Sequence, residues 1–110
     1  MMVLDYTCLK DEELVNMYGV TFDLNVHVLE DEYKISRSSA YTIISQELER
    51  LGFRHLQYSV YICAKYKNEM LLVYHIVEAL KKYEWFKASV HNMIAFKLDT
   101  WSEITEAFKE

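Results

Sequence analysis

The amino-acid sequence predicts a single α+β domain built from two layers. The 110-residue chain has no proline and two glycines, so we expect mostly regular structure joined by short connections. Residues 18–28 alternate between apolar and polar side chains, which is the pattern of a strand with one buried face. Two later segments carry apolar residues at helical spacing, and each precedes another alternating segment. Helices that bury a stripe on one face of an antiparallel sheet satisfy these patterns.

The composition indicates a globular protein of the cytoplasm. Hydrophobic residues make up 52% of the chain, which is enough for a packed core in one domain. No apolar run approaches the roughly 20 residues of a membrane helix, and charged residues interrupt the N-terminal segment where a signal peptide would lie. The two cysteines, Cys8 and Cys63, have no metal-binding spacing, so we interpret them as reduced thiols.

The charge is unevenly distributed. The net charge of −5 weighs against a nucleic-acid partner, since lysine and arginine dominate contacts to phosphate. Residues 1–16 carry four acids and one base, a balance of −3, which leaves −2 for residues 17–110. The near-neutral remainder can still present a local basic face. We interpret residues 1–16 as an extension ahead of a domain at 17–110, either a loosely packed leader or a helix that packs on the body or on a partner chain.

The first strand carries a carboxylate in an unusual place. The apolar side of residues 18–28 begins with Tyr18 and Val20, and the polar side includes Thr21, Asp23 and His27. Strand interiors disfavour aspartate, so Asp23 is the first candidate for a functional residue. We expect residues 29–37 to form an exposed connection.

Helix signals surround the middle of the chain. Ser38 or Ser39 is the predicted N-cap of a first helix that covers the strand, and Gly52 is its predicted stop. Residues 53–64 read as one long strand or as two strands with a break near residues 57–59, which we favour. Asn68 is the predicted N-cap of a second helix at 69–83, followed by Trp85 and Phe86 as core anchors.

The chain ends with one more strand and a short helix. Residues 89–98 alternate, and we assign Ile94 and Phe96 to the buried side and His91 and Lys97 to the opposite side. Asp99 or Thr100 would then cap a final short helix that carries Trp101, Ile104 and Phe108.

This order of elements predicts a ferredoxin-like sandwich with two helices on one face of an antiparallel sheet. The other face would then be polar and would invite a partner, most simply a second copy of the chain. The residues assigned to this polar face are Thr21, Asp23, Asn25, His27, Gln57, Ser59, Tyr61, Cys63 and Lys97.

The common catalytic motifs are missing from the sequence. The four histidines lack the spacing of a zinc helix, and the chain has no glycine-rich phosphate loop and no nucleophile elbow. On the polar face, Asp23 suits a general base or a ligand for Mg²⁺, which two copies would hold better than one. The hydroxyls of Ser59 and Tyr61 suit orientation of a phosphate or a ribose 2′-OH. The alternative is that these are ordinary surface residues of a strand.

Four segments of the chain form a recognisable series: residues 17–24 (MYGVTFDL), residues 47–53 with 57–61 (ELERLGF and QYSVY), residues 84–90 (EWFKASV) and residues 95–97 with 101–105 (AFK and WSEIT). In this order they resemble the virulence-associated protein D (VapD) family. The likeness covers residues 17–110. The first strand and QYSVY also resemble the CRISPR-associated protein 2 family.

The resemblance implies a ferredoxin-like homodimer with endoribonuclease activity, in some members as a toxin with a cognate antitoxin. It makes Asp23 the principal catalytic residue, with Ser59 close by. Asp23 is also the candidate ligand for Mg²⁺ at this site. We assign substrate binding to Gln57, Tyr61, His91 and Lys97.

The sequence departs from the family pattern at two motifs. Tyr58 stands where the family usually has glycine, and residues 91–94 read His-Asn-Met-Ile where Arg-Asp-Ile-Arg is typical. Two arginines that could contact phosphate are thereby lost. A second hypothesis is therefore a dimeric interaction or nucleic-acid-binding module without catalysis, and a third is a DNA-handling protein.

Overall fold

The computed structural model describes residues 17–57, 59–98 and 105–109. Our predictions for residues 1–16, Tyr58 and residues 99–104 lie outside these described residues. A π-helical turn, Val28–Glu32, and a 3₁₀ turn, Thr105–Phe108, accompany the main elements. The main elements are β1 (Tyr18–Leu24), α1 (Arg37–Arg50), β2 (Arg54–Gln57), β3 (Val60–Cys63), α2 (Glu69–Leu80), α3 (Glu84–Ser89) and β4 (Val90–Lys97).

The four strands form an antiparallel sheet in the order β2-β3-β1-β4. With helices between β1 and β2 and between β3 and β4, this is the arrangement of a ferredoxin-like sandwich, so the predicted fold class is confirmed. β1 is a central strand and pairs with both β3 and β4. Any side chain near its end therefore lies between two neighbouring strands.

The core lies between the helices and one face of the sheet. Three buried residues of α1, spaced by four, pack on the apolar side of β1, as the sequence predicts. α2 contributes a second stripe. These core residues are Ala40, Ile44 and Leu48 from α1, Leu72, Ile76 and Leu80 from α2, and Val20, Phe22 and Leu24 from β1.

The ends of α1 show one wrong prediction and one confirmed prediction. The N-cap is Ser36, whose hydroxyl accepts a hydrogen bond from the backbone N–H of Ser39 at 3.1 Å, so the helix begins before the predicted Ser38 or Ser39. Gly52 ends the helix with a φ of 98°. The Phe53 N–H then donates to the Leu48 carbonyl, which is a Schellman ending.

The elements after α1 largely follow the prediction. The break between β2 and β3 is confirmed, and so is Asn68 as N-cap, since its side chain accepts a hydrogen bond from the Leu71 N–H at 2.9 Å. α2 ends at Leu80, earlier than expected, because α3 begins a separate turn at Glu84. Phe86 in α3 is buried in the core, as expected for an anchor.

The first strand is shorter than its alternation predicts. β1 ends at Leu24, and the chain turns helical from residue 26, so His27 does not lie on the sheet. The predicted exposed connection contains Leu29, which is fully buried in the core. Val26 and Val28, which continue the alternation past Leu24, are half-buried in this helical segment, so the alternation there does not mark a strand.

Two strands present the opposite faces from those predicted. Tyr61 and Cys63 lie directly opposite Val20 and Tyr18, and therefore face the helices rather than the polar side. In β4, Ala95 lies opposite Val20, so Ile94 and Phe96 face away from the helices. A shift of one residue in register reverses every side chain, and both faces of these strands carry apolar residues. The alternation within each strand therefore does not determine which of its two faces packs on the helices.

The second face of the sheet, away from the helices, is partly apolar. Ile62 is 2% exposed there and packs with Met17, Leu56 and Leu98. Thr21 and Asp23 form a polar part of this face at the end of β1, and the exposed Arg54, which pairs with Ile62, adds a charge at the β2 edge. In the described part of the chain, we find no helix of the length and hydrophobicity that a membrane span requires.

Candidate active site

Two clefts meet at the end of β1, and we call them the strand-end clefts. Asp23 and Ser59 line both of them. The larger cleft has a volume of about 530 Å³ and is also lined by Arg37, Ser38 and Tyr41. The smaller cleft has a volume of about 230 Å³ and is also lined by Thr21, Phe22, Asn92 and Ile94.

Asp23 occupies the last exposed position of β1. It pairs with Asn92 of β4, and the register shifts between Asp23 and Leu24, where β4 carries one extra residue. Such bulges re-aim side chains at the ends of strands. The Asp23 carboxylate is exposed and makes no hydrogen bond or ion pair with the residues that the structure describes. It is therefore available to a substrate or a cation.

Ser59 reaches the same site from the turn between β2 and β3. Its hydroxyl lies 3.5 Å from the hydroxyl of Thr21, which is at the limit of a hydrogen bond. Thr21 and Asp23 share a face of β1, so this contact holds Ser59 beside the carboxylate. The predicted association of Asp23 and Ser59 at one site is therefore present in the geometry, and their catalytic roles stay predictions.

The structure does not bring Tyr61 to this site. The Tyr61 side chain is 2% exposed, and its hydroxyl lies 2.6 Å from the Ser45 hydroxyl of α1. Burial raises the pKa of Tyr61, and the hydrogen bond to Ser45 offsets part of that rise. The predicted role of Tyr61 in substrate binding on an open face is thus inconsistent with its position in the core.

Lys97 and His91 also lie apart from the clefts. Lys97 pairs with Tyr18, about 17 Å along β1 from Asp23, and its side of the strand faces the helices. His91 is exposed and is the extra residue of the β4 bulge, and it lines neither cleft. For Gln57 only the backbone is described, and it pairs with Val60 near Ser59.

The contribution of α1 to the site is not predicted by the sequence. Arg37 falls in the predicted exposed connection at residues 29–37, yet both Arg37 and Tyr41 line the larger cleft. The guanidinium of Arg37 lies 5.0 Å from the centre of the Tyr41 ring. One signal was available: in a strand–helix unit the helix returns antiparallel to the strand, so its first turn starts near the strand's last residues.

The charges of the clefts are simple. Among the described lining residues, Asp23 is the one carboxylate and Arg37 the one cation. Arg37 forms no ion pair within the described chain. The clefts therefore offer a base and a separate positive group to a ligand, with neutral hydroxyls and an amide between them.

The donor set is suited to a loosely held hard cation. Asp23, Ser59 and Asn92 supply oxygen atoms, but the described residues contain no group of three or more histidine, cysteine, aspartate or glutamate side chains that would hold a metal. Mg²⁺ often binds through one or two carboxylates and keeps several waters. One copy of the chain therefore provides part of a coordination sphere for Mg²⁺, and not a closed protein cage.

The fold and the strand-end clefts define a ferredoxin-like domain that presents an exposed carboxylate at the end of its first strand. No protein-family model matches the chain. It is 41% identical over 93 residues to Endoribonuclease VapD of Helicobacter pylori, which covers 84% of this chain and 99% of that protein. It is 38% identical over 93 residues to Endoribonuclease VapD of Dichelobacter nodosus, which covers 84% of this chain and 98% of that protein. The chain belongs to the VapD family.

Proposed function

We propose that the protein is an endoribonuclease in which Asp23 performs the acid–base chemistry. The observation that carries this proposal is the position of the Asp23 carboxylate, which has no hydrogen-bond or ion-pair partner among the described residues and lines both clefts together with Ser59. The two relatives described above are named endoribonucleases. An exposed carboxylate next to a cleft suits an RNA substrate, whose 2′-OH needs a base to become a nucleophile.

The chemistry follows from these groups. The Asp23 carboxylate accepts the proton of the ribose 2′-OH as its oxygen attacks the adjacent phosphorus. The phosphorus–oxygen bond to the 5′-oxygen then breaks, and that oxygen takes a proton from water or from the protonated Asp23. The products are a 2′,3′-cyclic phosphate and a 5′-hydroxyl. Ser59 donates a hydrogen bond to a phosphate oxygen and so holds the phosphorus next to the base. Mg²⁺, when bound by Asp23, would add positive charge at the phosphate.

The test is cleavage of RNA and DNA oligonucleotides of the same sequence by the full 110-residue protein, with Mg²⁺ and with a chelator. Cleavage of RNA alone, with cyclic phosphate ends, supports the proposed 2′-OH attack. Equal cleavage of the RNA and DNA oligonucleotides would contradict 2′-OH attack, because DNA lacks the 2′-hydroxyl nucleophile. The use of Asp23→Asn in the same assay excludes a contaminating nuclease.

We also propose that the working form is a homodimer built on the second face of the sheet. Ile94 is 48% exposed on this face and lines the smaller cleft beside Asp23. An apolar residue in that place suits contact with a second copy, which would bring two strand-end clefts together. Ile94→Glu should give a monomer by sedimentation velocity, whereas Val77→Glu on α2 should not. A dimer that resists Ile94→Glu but dissociates with Val77→Glu would place the interface on the helix instead.

We further propose that this endoribonuclease acts as a toxin in the cytoplasm. Its structural support is the outer side of α2, where five apolar residues are exposed and would suit a protein partner such as an antitoxin. They are Met70, Leu71, Val73, Tyr74 and Val77. Induced expression in a bacterial host should stop growth for the wild type and not for Asp23→Asn. Equal growth with both proteins would contradict a toxin that acts by RNA cleavage.

The second candidate is a dimeric module that has lost catalysis. The observation that favours it is the neutral β4 side of the smaller cleft, where Asn92 and Ile94 supply no positive charge. RNA retention in a low-salt gel without cleavage would identify a nucleic-acid-binding module. Absence of both would leave an interaction module, and binding to duplex DNA ends would revive the DNA-handling hypothesis.

A further inference from the structure

A column of stacked rings crosses the helix-facing side of the sheet and ends at the larger cleft. His55 stacks on Tyr61 with ring centres 4.6 Å apart, and Tyr61 stacks on Phe22 at 6.0 Å. Phe22 stacks on Tyr41 at 5.2 Å with an angle of 27° between the rings. The Arg37 guanidinium then lies over the Tyr41 ring at 5.0 Å. We call the four rings the aromatic column, and Arg37 is the group at its cleft end.

The inner members of the column are fixed in the core. Phe22 is 3% exposed, and the Tyr61 hydroxyl is tied to Ser45 of α1. The Tyr41 ring therefore packs on the fixed Phe22 ring and also contacts the Arg37 guanidinium. A cation over a tyrosine ring is attracted by the negative face of the ring. Arg37 is held over the cleft before any ligand arrives, so less side-chain freedom is lost on binding.

Arg37 is also the charge that an anion entering the clefts would meet. It is the one cation among the described lining residues, and it has no carboxylate partner in the described chain. Asn92 and Ile94, which are the β4 residues beside Asp23, are neutral. A planar guanidinium matches the paired oxygens of a phosphate.

We propose that Arg37, positioned by Tyr41, is the phosphate-binding residue of the larger strand-end cleft, and that its ligand is a backbone phosphate of single-stranded RNA. The choice of RNA rests on the proposed function. The RNA must be unpaired, because the larger cleft is a surface recess between the end of β1 and the start of α1. The first turn of α1 thus supplies the positive charge that β4 lacks.

The test measures binding separately from cleavage. A fluorescent single-stranded RNA is titrated with Asp23→Asn protein over a range of KCl concentrations, and anisotropy gives the Kd. Adding Arg37→Gln should raise the Kd about tenfold and lower the slope of log K against log[salt] by about 0.7, the value for one phosphate contact on a single strand. Arg50→Gln is the control, because it removes an equal charge about 20 Å away at the other end of α1.

An unchanged slope with Arg37→Gln would overturn the proposal, and so would an equal loss with Arg50→Gln. Absence of RNA binding by both the wild type and Asp23→Asn would also overturn it. These outcomes are distinct from failure of the proposed function, since a protein that binds RNA through Arg37 but never cleaves it would retain this subsite and lose only the role of Asp23.

The positioning role of Tyr41 has its own readout. Tyr41→Leu keeps an apolar side chain on α1 and removes the ring under the guanidinium. It should raise the Kd about threefold alone and have no further effect in the Arg37→Gln background, which is the result of a coupled pair. Additive effects would contradict positioning. Should Tyr41→Leu fail to fold by circular dichroism, Arg37→Lys provides the test: it should keep the salt slope and still weaken binding, because an ammonium lacks the planar fork.

Discussion

Asp23 and Ser59 line the same two clefts, although they come from a strand and from a turn that are far apart in the sequence. The pairing of β1 with β3 brings them together, and the Thr21 hydroxyl at 3.5 Å from Ser59 marks the contact. A base and a hydrogen-bond donor on one recess can act on one phosphate. A change at either residue should therefore affect the same reaction while leaving the fold intact.

Ser59→Ala should slow RNA cleavage without weakening the protein. The lost hydrogen bond to a charged phosphate corresponds to about 1.5–3 kcal/mol, or roughly a 10-fold to 100-fold lower single-turnover rate. The contact with Thr21 is long, so the free energy of unfolding should fall by less than about 0.5 kcal/mol. Ser39→Ala, at an exposed serine of α1 outside both clefts, is the matched control. Equal rates for Ser59→Ala and wild type would remove Ser59 from the site.

Tyr61→Phe should leave cleavage unchanged within about twofold. The Tyr61 hydroxyl is committed to Ser45 in the interior and does not line a cleft. Its loss should lower the free energy of unfolding by about 1 kcal/mol, measured by urea denaturation, because Ser45 loses a partner. A large loss of activity with unchanged stability would return Tyr61 to substrate binding, as the sequence alone had suggested.

Glu47 should make stability depend on acid pH. Its side chain is 5% exposed and bonds to Lys82 at 2.8 Å, to Tyr83 and to Arg50 at 3.0 Å. The hydrogen bond from Lys82, followed by that from Tyr83, lowers the pKa of Glu47 below its usual value of 4.5. A lowered pKa stabilises the folded state above about pH 4.5, and that contribution is lost as pH falls through the folded pKa.

The measurement is the free energy of unfolding in urea from pH 7 to pH 3. Glu47→Gln should show a shallower loss below pH 4.5 than the wild type, and a lower stability at pH 7. The control is Glu49→Gln, at an exposed glutamate of the same helix. Identical pH profiles for Glu47→Gln and wild type would show that the cluster does not hold the carboxylate in its charged form.

Gly19→Ala should destabilise the sheet. Gly19 lies opposite Phe96, and a Cβ at Gly19 would overlap the tip of the Phe96 ring. The ring must then move off the strand, at a cost of about 1–3 kcal/mol in the free energy of unfolding. The cost should shrink when Gly19→Ala is combined with Phe96→Leu, since the shorter side chain leaves space. Full additivity of the two changes would contradict this contact.

The sequence predicted what depends on local rules. The Gly52 stop and the Asn68 cap were found because a positive φ and an exposed helix N–H each require a particular residue type. The faces of β3 and β4 were not, because apolar residues lie on both sides and the register depends on pairing with β1. The position of Arg37 at the cleft was not predicted because it depends on its contact with Tyr41 and on the packing of α1 beside the end of β1, which no local pattern encodes.

Asp23 is the residue on which the proposed function depends most directly, and the decisive measurement is the single-turnover rate of cleavage of one single-stranded RNA. Asp23→Asn should be at least about 100-fold slower than the wild type, as expected on loss of a general base. Asp31→Asn makes the same change at an exposed aspartate outside the clefts and should cleave at the wild-type rate. Equal rates for Asp23→Asn and wild type would contradict the proposed function.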